Sequence, residues 1–384
     1  VRADPIHPFH TYLWKVASRC NINCTYCYVY NRGDQRWKEQ PHYMSREVAL
    51  ISAKRILEHS RRHAKKDFAI VFHGGEPLMA GARRLSEYAD IIGNVFSEED
   101  MRLTLGIQSN GLLFDRGIGD LLLRRGMTIG VSIDGPPEVN DRNRVDKLGR
   151  ATSGELERRL RLLTSKEYRR AFTGFLCVID PNTEPERTVD YLLSFDPPSI
   201  DFLFPLDNHD RLPPGKRAGS SVAPYGEWLV RAFDRWLASG RSTEVRIFHS
   251  LIGLIAGAPS TVETLGVDPV DLIVIETNGD IEAVDSLKAV FNGATHLGYN
   301  VVRNQFDEVA TNVGVRSRQM GVNSLSEQCK ACNIVEICGG GYLPHRYSKE
   351  RLFDNPSVYC ADLKLLIEHI ANVISMNVGR SKCA

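Results

Sequence analysis

The sequence predicts an α/β fold on a parallel sheet of six βα units, followed by a cysteine-rich C-terminal extension. Three observations carry that prediction. Short runs of β-branched, aromatic and aliphatic residues recur at 11–19, 68–73, 103–109, 128–134, 172–179 and 201–206. Amphipathic stretches lie between them, and such alternation implies parallel strands joined by right-handed crossovers. Cysteines then gather at 329–360, beyond the last unit. Six units are enough for a full or partial barrel.

Each element has its own signal. Ser45 is placed to cap a helix carrying Val48, Ile51, Ile56 and Leu57. Leu85, Tyr88, Ile92 and Val95 recur at helical spacing, as do Leu156, Leu160 and Leu163. Residues 207–222 are rich in Pro, Gly and charge and read as a long loop; a helix is expected over 225–237. Runs at 272–276 and 280–284 flank Thr277-Asn278-Gly279, a hairpin signal. A final helix is expected over 362–376. The expected division is a barrel domain at 1–240 and a linker with the cysteine-rich domain at 241–384. Polar segments follow the strands at 19–28, 74–77, 110–111 and 135–136. That edge is where parallel α/β folds bind ligands, so the motifs converge on one mouth.

Composition narrows the class. Of 384 residues, 42% are hydrophobic and 25% charged, as in folded globular proteins. The 48 basic and 47 acidic side chains leave a formal charge of +1, which recommends neither nucleic acid nor an anionic membrane as partner. Arg61-Arg62-His63 and Arg158-Arg159 are expected on solvated helix faces. No apolar run approaches a bilayer span, and residues 1–9 lack the layout of a signal peptide. Nine cysteines, an odd number, fit a reducing compartment where clustered thiols bind metal. A cytoplasmic protein is expected.

Cys20, Cys24 and Cys27 place three thiols within eight residues, after the first strand run. Thiolates are the usual ligands of iron–sulfur clusters, and three on a four-iron cube leave one iron open. Structural zinc is the rival, but it wants four donors. His10 could be a fourth and reads better as a loop residue.

The segment CNINCTYCYVY resembles the radical S-adenosylmethionine (radical SAM) signature, and further motifs of that family follow in order. HGGEP at 73–77 looks like its glycine-rich segment, IQSNG at 107–111 and SIDGP at 131–135 match its third and fourth strand ends, and NDRNRVDKLG at 140–149 resembles a segment of its peptide-modifying members. The resemblance implies a partial (β/α)6 TIM-like barrel. It implies SAM bound by Tyr26, Gly74, Gly75, Glu76, Pro77, Ser109, Asn110, Ser132, Asp134 and Arg144, the last as a carboxylate clamp. It further implies a [4Fe–4S] cluster on Cys20, Cys24 and Cys27 and reductive formation of a 5′-deoxyadenosyl radical that takes a substrate hydrogen.

Cys329, Cys332 and Cys338, with Cys360 further on, resemble the SPASM extension of radical SAM enzymes that modify ribosomal peptides and proteins. The seven-Cys pattern is incomplete here. Tyr342 stands where that pattern has a Cys four residues after Cys338, and no Cys occurs between Cys177 and Cys329. The four that remain suffice for one auxiliary [4Fe–4S] cluster; zinc is the alternative occupant. Cys177 is expected to be a buried inert thiol, and Cys383 free and disordered.

At the hairpin, Val284-Asp285 stands where the full pattern has Cys-Asp. Asp285 could accept a substrate proton as the new bond forms, or could be an ordinary cap; Glu276, Asp280 and Glu282 are weaker candidates. CGGGYLPHRY and FDNPSVYCADL look like the FxsB-type subgroup, maturases that form three-residue cyclophanes. The function this implies is a C–C crosslink, aromatic ring to β-carbon, in a ribosomal precursor peptide. A flavodoxin- or ferredoxin-type electron donor would serve it. With 11–375 covered by the resemblance, no separate peptide-recognition domain is expected at either end, so leader binding would use the barrel, the extension or another protein. Thioether or ether crosslinking and formylglycine formation are the alternative outcomes. An iron–sulfur carrier or zinc-stabilised binding protein is the non-enzyme alternative.

Overall fold

A computed structural model describes residues 6–240 and 242–381, with side chains as far as 376. Cys383 lies outside the described residues. The six expected strands are β1 (Thr11–Ala17), β2 (Asp67–Gly74), β3 (Arg102–Ser109), β4 (Thr128–Ser132), β5 (Phe172–Val178) and β6 (Ser199–Leu203). Four more follow: β7 (Glu244–Val245), β8 (Leu272–Ile275), β9 (Asp280–Glu282) and β10 (His296–Asn300). The longer helices are α1 (Arg46–Arg62), α2 (Gly81–Val95), α3 (Arg116–Arg125), α4 (Pro137–Asn143), α5 (Ser153–Leu163), α6 (Pro185–Leu193), α7 (Pro224–Ser239) and α8 (Arg246–Ile255), then a final helix, Cys360–Ser381.

The chain forms two compact units that interleave along the sequence. The first holds the residues up to Ile133 with Asn140–Gly174 and Val270–Gln319; the second holds Asp134–Val139, Phe175–Pro269 and the residues from Met320 on. The expected boundary near 240 falls inside the second unit.

In the first unit the strands run β10-β9-β8-β1-β2-β3-β4. β1, β2, β3 and β4 pair in parallel, and β8 pairs in parallel with the other side of β1, setting Trp14 beside Ile275. The hairpin forms as expected: β9 returns antiparallel to β8, and β10 adds antiparallel to β9. Parallel strands covered on both faces read as near-continuous apolar runs. Tyr12, Trp14, Ile70, Phe72, Ile107 and Tyr88 are accordingly buried. Trp14 stacks on Phe72 at 6.1 Å, and Phe72 meets Tyr88 edge-on at 5.9 Å. Ser45 caps α1 as expected, its Oγ accepting the Val48 N–H. The basic cluster at the end of α1 is more than a solvated face: Arg61 pairs with Glu99, and Arg62 and His63 grip Asp307.

In the second unit β5, β6 and β7 pair in parallel. Phe202 packs on Trp228 at 5.1 Å, Phe233 on Phe248 at 5.2 Å and Phe204 on Tyr359 at 4.6 Å. The final helix starts at Cys360, two residues earlier than expected. Asp362 does not open that helix, because its carboxylate caps another. Oδ1 accepts the N–H groups of Tyr225 and Gly226 at 2.9 Å each, and Oδ2 pairs with Lys216 from the long loop.

Candidate active site

The three-thiol loop follows β1 and is tied down by backbone bonds. Cys27 N–H donates to the Cys24 carbonyl (3.0 Å), Asn23 N–H to Val145 (2.8 Å) and Thr25 N–H to Asn143 (2.9 Å). The thiols are free of disulfides. Burial pushes Cys20 up to about 12, with Glu76 and the neighbouring Cys24 and Cys27 adding to the effect. Thiols on one short loop, kept protonated by burial, fit a metal that supplies the positive charge their thiolates need. His10 takes no part; it lies against Asp67 at 3.4 Å.

HGGEP joins this loop through its backbone. Gly75 N–H donates to the Ala17 carbonyl (2.9 Å) and Glu76 N–H to Arg19 (3.0 Å). A Cβ on Gly75 would stand 1.8 Å from Tyr30 Oη and 2.6 Å from the Arg19 carbonyl, which excludes any side chain there. The glycines therefore let β2 approach the thiol loop. Glu76 is buried and accepts three donors: Ser109 Oγ–H (2.8 Å) and Leu78 N–H (2.9 Å) on Oε1, and Asn110 N–H (2.8 Å) on Oε2. Pro77 opens the turn Pro77–Ala80 behind it. Asn110 Nδ2 donates to Asn21 Oδ1 (2.8 Å) and lies 3.7 Å from Cys20 Sγ. Arg144 donates to Tyr26 Oη at 2.9 Å, and Gln108 Nε2 donates to Ser132 Oγ at 3.0 Å. Within the first unit, then, Tyr26, Gly74, Gly75, Glu76, Ser109, Asn110 and Arg144 join the thiol loop directly or through one another. Asp134 belongs to the second unit, where it accepts the Val178 N–H at 3.2 Å.

Asp285 begins a 3-10 turn, Asp285–Ala289, but caps nothing. It is 4% exposed, and its Oδ2 pairs with Lys15 of β1. Oδ1 is buried with no hydrogen-bond partner; the Lys288 ammonium stands 3.7 Å away. Burial alone would raise this carboxyl, but Lys15 and Lys288 outweigh it and hold Asp285 well below the ordinary carboxylate range. Lys288 is itself gripped by Glu276 (2.5 Å) and Glu282 (3.0 Å), so its ammonium fills the space among three carboxylates that could otherwise hold a cation. Lys15 also donates to His73 Nδ1 at 3.1 Å, and burial and that ammonium bring His73 down to about 3. The imidazole is therefore neutral. The sequence reading named none of Lys15, His73 and Lys288. A lone Lys inside the apolar run TYLWKVA was the available signal.

In the second unit, Ser326 Oγ accepts the Cys329 N–H at 3.4 Å and Cys332 N–H returns to the Cys329 carbonyl at 3.0 Å. Cys338 is followed by three left-handed glycines, Gly339, Gly340 and Gly341. A Cβ on Gly339 would stand 1.7 Å from the Gly266 carbonyl oxygen. Buried Arg346 donates to the carbonyls of Gly339 (3.3 Å) and Gly341 (2.9 Å). Burial, then Cys360, Cys329 and Cys332, pushes the Cys338 thiol up to about 12, so the four thiols share one electrostatic environment. Cys177 is buried in β5, as expected of an inert thiol.

The strand-end thiol loop is thus braced by a glycine-rich segment and a buried glutamate. Residues 14–192 match the family model of the radical SAM superfamily. It is 25% identical over 368 residues to the cysteine-type anaerobic sulfatase-maturating enzyme of Clostridium perfringens (strain 13 / Type A), covering 94% of this chain and 96% of that protein. It is 27% identical over 366 residues to the serine-type enzyme of Bacteroides thetaiotaomicron, covering 89% and 84%. Native anSMEcpe solved with bound AdoMet superposes with a TM-score of 0.80 at 26% identity over 97% of this chain and 99% of that one. Streptococcus suis SuiB bound to precursor peptide SuiA shares the fold, with a TM-score of 0.60 at 14% identity over 92% and 76%. Among the described residues, no helix is long and apolar enough to cross a membrane.

Proposed function

We propose that this radical SAM enzyme oxidises a side chain of a ribosomally made precursor peptide and joins an aromatic ring to the β-carbon of a residue two positions on. One observation carries the reading: a buried carboxylate oxygen without a partner, Asp285 Oδ1, sits beside Val284, where the full pattern has a cluster-ligating Cys. A side chain able to take a proton thus remains where the nearer auxiliary cluster would have been anchored.

SAM on the open iron of a cluster held by Cys20, Cys24 and Cys27 would supply the hydrogen-abstracting radical, and a second four-iron cluster on Cys329, Cys332, Cys338 and Cys360 would supply an electron acceptor. A flavodoxin- or ferredoxin-type donor would deliver the reducing electron. Arg144, which donates to Tyr26 Oη, would orient the cofactor's carboxylate, and Glu76 holds the Ser109–Asn110 turn against the thiol loop. Asp285 accepts the proton that the oxidised substrate releases. Its flanking lysines make it a weak base, which suffices for so acidic a proton.

The test is co-expression with short peptides encoded beside the gene, followed by mass spectrometry. A product lighter by two hydrogens, with fragmentation blocked across a three-residue ring, is expected. Unchanged peptide alongside active 5′-deoxyadenosine formation would overturn the reading. The full-length match to sulfatase-maturating enzymes favours formylglycine formation as a second reading. An aldehyde formed on the side chain of a cysteine-containing peptide would establish it instead.

A further inference from the structure

We propose that Lys15 is a positioning residue for Asp285: its ammonium keeps the carboxylate ionised and turns Oδ1, the free oxygen, toward the incoming substrate. The inference rests on the reading of Asp285 as proton acceptor but is tested without a substrate. The geometry singles out Lys15. It sits in the middle of β1, 2% exposed, where its neighbours Trp14 and Val16 are fully buried. Its two partners are Asp285 Oδ2 and His73 Nδ1. His73 lies on β2 in register with Lys15, so the sheet itself fixes the distance between them. The neutral imidazole accepts one ammonium hydrogen and anchors the head group, and Asp285 takes another.

The other charged groups around Asp285 are committed elsewhere. Lys288, on the same turn, is held by Glu276 after β8 and by Glu282 on β9, and reaches only within 3.7 Å of Oδ1. Glu282 is further engaged by Arg36 at 3.0 Å and by Thr295 at 2.9 Å. Among the described residues Lys15 is therefore the one cation hydrogen-bonded to Asp285. Removing it would leave a buried carboxylate with no hydrogen bond on either oxygen and only the Lys288 ammonium, itself held by two glutamates, to oppose burial, which shifts Asp285 toward its protonated form. A protonated Asp285 could no longer receive one from the substrate. A buried ion pair of this kind adds little stability over apolar residues of the same size, so stability alone does not account for it.

Infrared titration of the cluster-loaded protein in heavy water reads this directly. In the wild type, no protonated-carboxyl stretch assignable to Asp285 should appear between pH 5 and 8. Lys15→Met should bring one in as pH falls toward 5, with the protonation midpoint at least about two pH units above that of the wild type. The double variant Lys15→Met/Asp285→Asn should remove it, and Lys15→Arg should restore the wild-type spectrum. Lys15→Gln, which keeps a donor but no charge, should behave as Lys15→Met and stands in if the methionine variant does not load its clusters. Absence of the band from both neutral variants, or its presence in the wild type at pH 7, would overturn the proposal. A wild type that makes 5′-deoxyadenosine but modifies no peptide would instead count against the crosslinking reading and leave this result intact.

Discussion

Glu76 shows how much one side chain can hold. Both oxygens accept hydrogen bonds from groups that the fold cannot satisfy otherwise. Glu76→Gln would point amide hydrogens at the Asn110 N–H, a donor facing a donor. A loss of about 1–3 kcal/mol in urea unfolding is expected, with a fall in SAM cleavage measured as 5′-deoxyadenosine. His59 makes a pH prediction. Its Nε2 accepts the Phe9 N–H at 3.0 Å, and burial lowers it to about 4 despite Asp307. The unfolded imidazole protonates near the ordinary 6.5, the folded one only near 4, so the unfolded state binds more protons between them. His59's contribution is fully present above that upper value and is lost as pH falls through the window. About 2 kcal/mol should go between pH 7 and pH 5, and His59→Leu should flatten that difference in urea midpoints. At this scale the sequence is legible where a residue type has one chemistry, as in the two cysteine groups. It is not legible for Lys15, whose partner Asp285 lies 270 residues along the chain, nor for Lys288, whose partners Glu276 and Glu282 reach it only once the β8–β9 hairpin has formed.

Glycine placement governs the elements around the thiol loop. Gly75→Ala should displace Tyr30 and the Arg19 carbonyl and so lower the iron bound per chain, measured by colorimetric assay. Gly93→Ala is the control: it lies inside α2 with nothing within 4 Å of the added methyl, and should raise stability by about 1 kcal/mol. The β1–β6 strands, the hairpin and the Ser45 cap were readable because local pattern and tertiary role agree. Helices α3, α6 and α8 were not marked. α3 begins with two glycines within four residues, and α8 spans only ten residues, too few turns for its period to stand out. β10 was missed too: Gly298 at φ +81° and an irregular register between His296 and Tyr299 erase the alternation that marks a strand.

Across the whole molecule the cysteine count sets a stoichiometry. Four-iron clusters on both cysteine groups would give about eight irons per chain after anaerobic reconstitution. Cys332→Ala should lower that to about four while 5′-deoxyadenosine formation continues, because Cys332 and the three-thiol loop belong to different units. Zinc at the second site would leave the iron count at four in the wild type already.

Interleaving has a consequence for how this protein can be divided. The first unit is completed only when residues 270–319 return to it, carrying β8, β9 and the turn that bears Asp285. A gene cut after codon 240 would thus encode every ligand of the three-thiol loop yet leave β1 with a bare edge and Lys15 with imidazole as its remaining neighbour. Such a fragment should aggregate, and supplying residues 241–384 as a separate chain should recover soluble material, a split-protein complementation that fuses folding of the radical generator to synthesis of its C-terminal half.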